Sequence, residues 1–401
     1  MKLNPSEEML FALLRSALHS IPINTELFTD VSPSDWQDCY KLAAGQGVMA
    51  LAWDGVCALP TDLQPPKALK LTWGIAVEKY EERYRRYCRT VAELSNYYAK
   101  HGIIAVQMKG VGLSTYYPIP SHREGGDIDI FTYSADSSKQ TDAQANHLAD
   151  TLMEEQGIEV DCDHSEKHSV FYYKGIPIEN HKTFLNSETY RIAVTMDTLL
   201  KELLQPVKVE LDGKHEILIP SPAFNTLFLA FHSAQHYGRG LALHHLCDWA
   251  CLLKKVGLDI PEGVTDIRFK RMIYALTQLC NSYLGAVSEP SLCFGQTRGS
   301  APTAAVRADP CVRPAIKRSF GTPPSEEGLG EEILQEILRP PYSKAVPVRG
   351  KWNILVYKTK RMLHIHRLCN SVLRISFAQW IGDSIVLHLR FPHTVFETDR
   401  K

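Results

Sequence analysis

Between Gly102 and Lys109 the chain changes character. Ile103-Ile104-Ala105-Val106-Gln107-Met108 is short, apolar and β-branched, the pattern of a buried strand. It follows a stretch from Ala68 to His101, rich in helix formers, whose only Gly or Pro is Gly74. One long helix is expected there, with Gly102 as its C-terminal cap. The strand runs straight into Lys109-Gly110-Val111-Gly112-Leu113, a turn that leads naturally into a short helix. Asp127-Ile128-Asp129-Ile130-Phe131 then alternates polar and apolar residues, which predicts a half-buried strand with both aspartates on one face. A helix capped by Ser137 or Ser138 is expected to about Glu155. Ser169 to Tyr173 and Ile176 to His181 read as two strands joined by a Lys174-Gly175 hairpin turn. Pro177 marks the second as an edge strand, or as starting there. Strand, helix, strand, helix and hairpin make an α/β sheet of modest size.

The flanks read as helical. From Glu7 to Ala50 apolar residues recur at helical spacing, with Ser32-Pro33-Ser34-Asp35-Trp36 as a capping sequence before a second helix. From Arg191 the signal is helical again to about Leu284, with Ser221-Pro222 as cap and first-turn proline and Gly257 closing a later helix. The expected organisation is an N-terminal helical region (1–100), an α/β core (101–190), a helical lobe (191–286), a Pro-, Gly- and Ser-rich linker or loop (287–330) and a basic helical segment (331–401). Ser384 to Phe391 fits a strand or a helix end, and no internal repeat is found.

Composition narrows the function. A formal net charge of −1 gives no global field favouring nucleic acid or membrane as a partner. Ten scattered cysteines include no CxxC pair, so reduced and mostly buried thiols are expected. The first twenty residues carry Glu7 and Glu8 instead of a basic region followed by an apolar core. No apolar run reaches the roughly 18 residues of a membrane span. A cytoplasmic protein without a transmembrane segment is expected.

Nucleotidyl transfer needs little covalent help from protein; it needs cations that neutralise the triphosphate and an attacking oxygen aligned with the leaving group. Two aspartates at i and i+2 on a strand sit side by side, as a pair of Mg²⁺ ions about 3.5–4 Å apart requires. Asp127 and Asp129 have that spacing. Alternation along Ile176 to His181 puts Glu179 on the face opposite Ile176 and Ile178, which makes it the candidate third carboxylate. Lys109 and the Gly110 turn are candidates for the phosphates, together with Arg123. Each has a plainer reading: Lys109 as a solvated lysine, Arg123 as the partner of an aspartate that orders its loop.

In these residues the chain resembles the bacterial uncharacterised nucleotidyltransferases of the DNA polymerase β-like superfamily. Met108-Lys109-Gly110, Arg123, Gly126-Asp127-Ile128-Asp129-Ile130 and Ile178-Glu179-Asn180-His181 carry the resemblance. It extends through Phe231 to His236 and His245 to Asp248, covering most of residues 30 to 280. Polar Asn180 departs from the family's apolar residue, Val111 stands where the superfamily has Gly or Ser, and Glu179 stands where aspartate is common. The resemblance implies an α+β fold with an α/β-type core: a polymerase-β-like nucleotidyltransferase sheet flanked by N-terminal helices and a C-terminal helical lobe. It implies transfer of a nucleoside monophosphate from an NTP, ATP foremost, to a hydroxyl, with two Mg²⁺ or Mn²⁺ ions held by Asp127, Asp129 and Glu179. The acceptor, whether small molecule, sugar, RNA or protein, is not named by any motif.

Two other constellations compete. His232 and His236 share a helix face, with His244, His245 and Asp248 nearby, a spacing that zinc hydrolases use. Ser233-Ala234-Gln235 between them lacks the glutamate of a His-Glu-x-x-His helix. The plainer readings are packing between lobes, or lining of the acceptor side of the cleft by His181, His232, His236 and Asp248. From Arg339 to Arg374 nine Lys or Arg residues occur with no acidic residue. This stretch suits a solvated helix face, a surface for nucleic acid or anionic lipid, or docking within the protein. A degenerate fold that binds a nucleotide or a partner without turnover is the remaining alternative.

Overall fold

The computed structural model describes residues 1–162, 167–186, 190–286, 326–342, 351–375 and 381–382. Three helices open the chain: α1 (Pro5–His19), α2 (Pro33–Gly45) and α3 (Met49–Ala58). Capping boxes start the first two, Asn4 with Glu7 and Ser32 with Asp35, which pair the backbone N–H groups of the cap and of the third helical residue, while proline occupies the first helical position. α3 crosses α1 so closely at Gly55 that a Cβ there would lie 2.5 Å from the carbonyl oxygen of Leu13. The long helix expected near residue 68 is α4 (Lys67–Lys100), and Gly102 follows its end at φ +74°.

Then comes the sheet. β1 (Ile103–Gln107) leads to the single turn α5 (Val111–Ser114), and β2 (Ile128–Ser134) to α6 (Asp142–Glu155). The cap of α6 is Thr141 in a box with Gln144, not Ser137 or Ser138; Ser138 bonds Asp136 instead. β3 (Val160–Asp161), β4 (His168–Tyr173) and β5 (Ile176–His181) follow. Lys174 and Gly175 both take positive φ, 51° and 73°, the type I′ geometry that suits a two-residue hairpin. After α7 (Arg191–Leu203) a second hairpin, β6 (Val207–Leu211) and β7 (His215–Ile219), turns at Asp212 and Gly213 with φ 46° and 69°. This corrects the expected all-helical run from Arg191: residues 207–219 join the sheet. The seven strands lie in the order β3-β4-β5-β2-β1-β7-β6. β5 is therefore interior, not an edge, and Pro177 is tolerated because the ladder to β2 begins at Ile178.

The remaining helices are α8 (Pro222–His236), α9 (Leu243–Val256), α10 (Ile267–Leu279), α11 (Glu326–Leu338) and α12 (Lys351–Leu373). Two apolar cores result. One fills the space between the sheet and the helices α4 and α6, through Ile128, Ile130, Ile178, Leu94 and Met153. The other joins α1–α3 to α8–α12, so the N-terminal helices and the later helices share one interior, which also takes in Met108, Phe131 and Phe184. Strand alternation thus sends isoleucines to one face and Asp129 and Glu179 to the other.

Most of the expected linker lies outside the described residues, as does Ser384 to Phe391; Glu326 to Gly330 belong to α11. Parts of the basic run dock internally. Arg339 pairs with Glu7 at 2.6 Å, Arg367 with Glu332 at 2.8 Å and Arg374 with Asp266 at 3.4 Å. Ile365, Leu368 and Val372 of α12 are buried. Among the described residues no cysteine is in a disulfide, and no helix is long and apolar enough to cross a membrane.

Candidate functional site

Parallel pairing of β2 with β5 sets Asp129 directly beside Glu179. Asp127 stands two residues back on the same face, and carboxylate oxygens of all three lie within 4.8 Å of one another. Sheet register places Asp129 beside Glu179, since neighbouring strands are about 4.8 Å apart, and Asp127 joins them from the residue just before β2. Asp129 is wholly buried. Its Oδ1 accepts from Lys109 Nζ at 2.8 Å and from His181 Nε2 at 2.9 Å. Its Oδ2 is buried with no hydrogen-bond partner. An anionic oxygen left so is costly unless a cation or proton meets it, so the three carboxylates fit a divalent cation.

Charge sorts the triad. Burial alone would raise the Asp129 carboxyl, but Lys109 and His181 hold it well below the usual range. Burial and the Asp129 charge push Asp127 up instead. Burial opposes ionisation of Glu179 as well, yet the bond from His181 brings its carboxyl below its ordinary value. Lys109 is no solvated lysine: it is 16% exposed, and its ammonium is kept charged against burial by Asp129 and Asp127.

The turn beneath is built for close approach. Gly110 has φ +55°, and a Cβ there would lie 3.1 Å from the carbonyl oxygen of Asp127. Gln107 braces the same turn, its Nε2 donating to the carbonyls of Asp129 at 2.9 Å and Lys109 at 3.1 Å. Asn180, polar where an apolar residue was expected by resemblance, points to the α6 side. Its Oδ1 accepts from Thr132 and Asn146, and its Nδ2 donates to Asp150 at 2.8 Å.

A family described as uncharacterised nucleotidyltransferase has a model that matches residues 32–285. The chain belongs to this family. The matched span begins at the cap of α2, ends beyond α10 and holds the whole carboxylate face. A solved antigenic nucleotidyltransferase-like protein from Paracoccidioides brasiliensis is 15% identical, with 50% of this chain and 92% of that chain covered and a TM-score of 0.33. No curated protein matches the chain.

The other expected residues form further groups. Arg123 and Asp248, assigned from sequence to opposite substrates, bind each other: Nε and Nη2 each reach the carboxylate at 2.8 Å. Tyr117 donates a third bond to Asp248 at 2.6 Å. The plainer reading of Arg123 as the partner of an aspartate thus describes its contacts. His232 and His236 meet His245 of α9, and ligand atoms of the three lie within 4.8 Å of one another. Burial drives His232 and His245 well below the ordinary histidine value and His236 to about 4, with Lys109 contributing next at His232 and His236. His181, expected on the acceptor side, bonds Asp129 Oδ1 through Nε2 at 2.9 Å.

Sequence reasoning missed two histidines. His168 packs its ring 5.1 Å from that of His181 and approaches Glu179 at 3.8 Å. His122 fastens the loop leading to Asp127: Nδ1 meets Asp54 of α3 at 2.8 Å and Nε2 meets Glu81 of α4 at 3.2 Å. Burial would lower its pKa, but these carboxylates raise it. The contribution is therefore complete below the unfolded value of about 6.5 and lost as pH rises through the higher folded one. His122→Gln is expected to lower stability by about 1–2 kcal/mol at pH 5.5 and by less at pH 8.5. Urea denaturation at both pH values checks this; a deficit that grows with pH contradicts the charged latch.

Proposed function

We propose that this nucleotidyltransferase moves a nucleoside monophosphate from an NTP, with ATP as first candidate, to a hydroxyl of its acceptor. The observation that supports this most is the Asp129–Glu179 register with a buried, unpartnered Asp129 Oδ2. Asp127, Asp129 and Glu179 would hold divalent cations, Mg²⁺ or Mn²⁺, which when bound neutralise the triphosphate and acidify the attacking hydroxyl. The chain's own residues supply the rest. Glu179, kept ionised beside His181, takes the hydroxyl proton as the new O–P bond forms at the α-phosphorus and pyrophosphate departs. Lys109 exchanges part of its contact with Asp129 for a phosphate oxygen. Gly110, lacking a Cβ, lets the phosphate approach the backbone. The basic run from Arg339 to Arg374 remains a candidate surface for an anionic acceptor.

The test is incubation of the protein with α-labelled ATP, a divalent cation and a cell extract, followed by mass spectrometry of labelled species. Cation-dependent label transfer with pyrophosphate release is expected, and loss of both in Asp127→Ala. Full activity in Asp127→Ala would sink the assignment. A second reading, nucleotide binding without turnover, draws support from Lys109 and His181 both engaging Asp129 and from Val111 where the superfamily has a small residue. Binding that needs no divalent cation, with no pyrophosphate released, favours it.

A further inference from the structure

Beside the all-oxygen triad the same strands assemble a second, nitrogen-bearing group. His168 on β4 pairs in register with His181 on β5, and Glu179 lies two residues before His181 on the same face. We infer that His168, Glu179 and His181 form a separate site for a divalent first-row transition cation of the Fe²⁺, Co²⁺ or Zn²⁺ class, sharing Glu179 with the carboxylate site. The inference rests on the carboxylate reading only through that shared residue.

The geometry suits such an ion. Cations of this class bind imidazole nitrogen and carboxylate oxygen at about 2.0–2.2 Å, so adjacent ligand atoms stand about 3.0–3.5 Å apart. His181 Nε2 lies 3.4 Å from Glu179 Oε2. His168 Nε2 lies 3.8 Å from Glu179 Oε1, a few tenths of an ångström from that range. The tautomer needed is also available. With its proton on Nε2 the His181 ring donates to Asp129; with its proton on Nδ1, 3.4 Å from the Thr183 carbonyl oxygen, the same Nε2 offers a lone pair without turning. A ligating histidine ordinarily has this outer contact to a carbonyl. Imidazoles favour transition cations, whereas the carboxylates of Asp127 and Asp129 favour Mg²⁺ or Mn²⁺, so the two positions select different ions. The His232, His236 and His245 group is less suited, because Nδ1 of His245 accepts the Ala242 N–H at 3.2 Å and leaves the proton on Nε2.

Zn²⁺ is the probe, added at one equivalent to the full chain in excess Mg²⁺. X-ray absorption of the wild-type protein is expected to show imidazole scattering from two histidines. His168→Gln and His181→Gln are each expected to weaken Zn²⁺ binding by roughly tenfold or more, whereas His232→Gln leaves it unchanged. An oxygen-only shell in the wild type overturns the inference without reliance on any variant. Zn²⁺ binding that is lost in His232→Gln and kept in His168→Gln overturns it as well. ATP binding, measured on the same samples, separates this from the carboxylate reading: loss of its Mg²⁺ dependence would count against that reading, not against the histidine site.

Discussion

Asp129→Asn is expected to cut NTP turnover by roughly a thousandfold or more while leaving a folded protein. Asparagine keeps the shape but removes the charge that Lys109 and His181 both meet. Lys109 would retain only Asp127 and Glu179 as counter-charges, and burial would then pull its pKa down from its present raised position. Removing one partner of a buried pair costs about 3–5 kcal/mol. Those two remaining carboxylates keep the loss toward the lower end. Pairing the change with Lys109→Met separates the roles, since it removes the stranded ammonium. Asp129→Asn with Lys109→Met should recover stability in urea denaturation and recover no activity. Turnover within tenfold of the wild type in Asp129→Asn would contradict a cation-holding role, and recovery of activity in the double variant would make Lys109 an inhibitor of the site.

The carboxylate face was legible because it depends on local periodicity. Two-residue alternation assigned Asp127 and Asp129 to one face and Glu179 to the face away from Ile178, and the sheet keeps those faces. The Lys174-Gly175 hairpin was equally local. β6 and β7 escaped although Val207 to Leu211 alternates and Asp212-Gly213 is a turn signal. The reason is brevity: β6 and β7 are five residues each, set between the longer helical signals of Arg191 to Leu203 and Ser221-Pro222. Long-range charge pairing left no local trace. Arg123 and Asp248 are 125 residues apart, and although Lys109 is legible as a phosphate candidate, its ion pair with Asp129 at 2.8 Å depends on the folded strand pairing. His168 lies one residue before the expected strand start, so its alignment with His181 awaited the observed register.

Asp248→Ala is expected to be the most destabilising single change near the site, at about 3–5 kcal/mol, because it strands a buried guanidinium. Arg123 is 11% exposed, and both nitrogens of its fork that face Asp248 lie at 2.8 Å. In the native protein the Asp248 carboxylate raises the Arg123 pKa against burial; with it gone a guanidinium still keeps its proton at ordinary pH, so Arg123 cannot escape by losing its charge. The Tyr117 hydroxyl loses its acceptor in the same step. The consequence reaches the chemistry through the chain: Arg123 also donates to the Glu124 carbonyl at 3.0 Å, at the head of the segment that ends in Asp127. Releasing that segment should weaken nucleotide and cation binding even in molecules that stay folded. Arg123→Met with Asp248→Leu tests whether the pair stabilises or only avoids a penalty, since apolar residues of similar size often replace a buried ion pair at little cost. Denaturation midpoints near the wild type for this double variant, with Asp248→Ala far below, are the expected pattern. A midpoint for Asp248→Ala within 1 kcal/mol of wild type, roughly the worth of an exposed pair, would show that Arg123 finds another partner and that Asp248 does not anchor the loop.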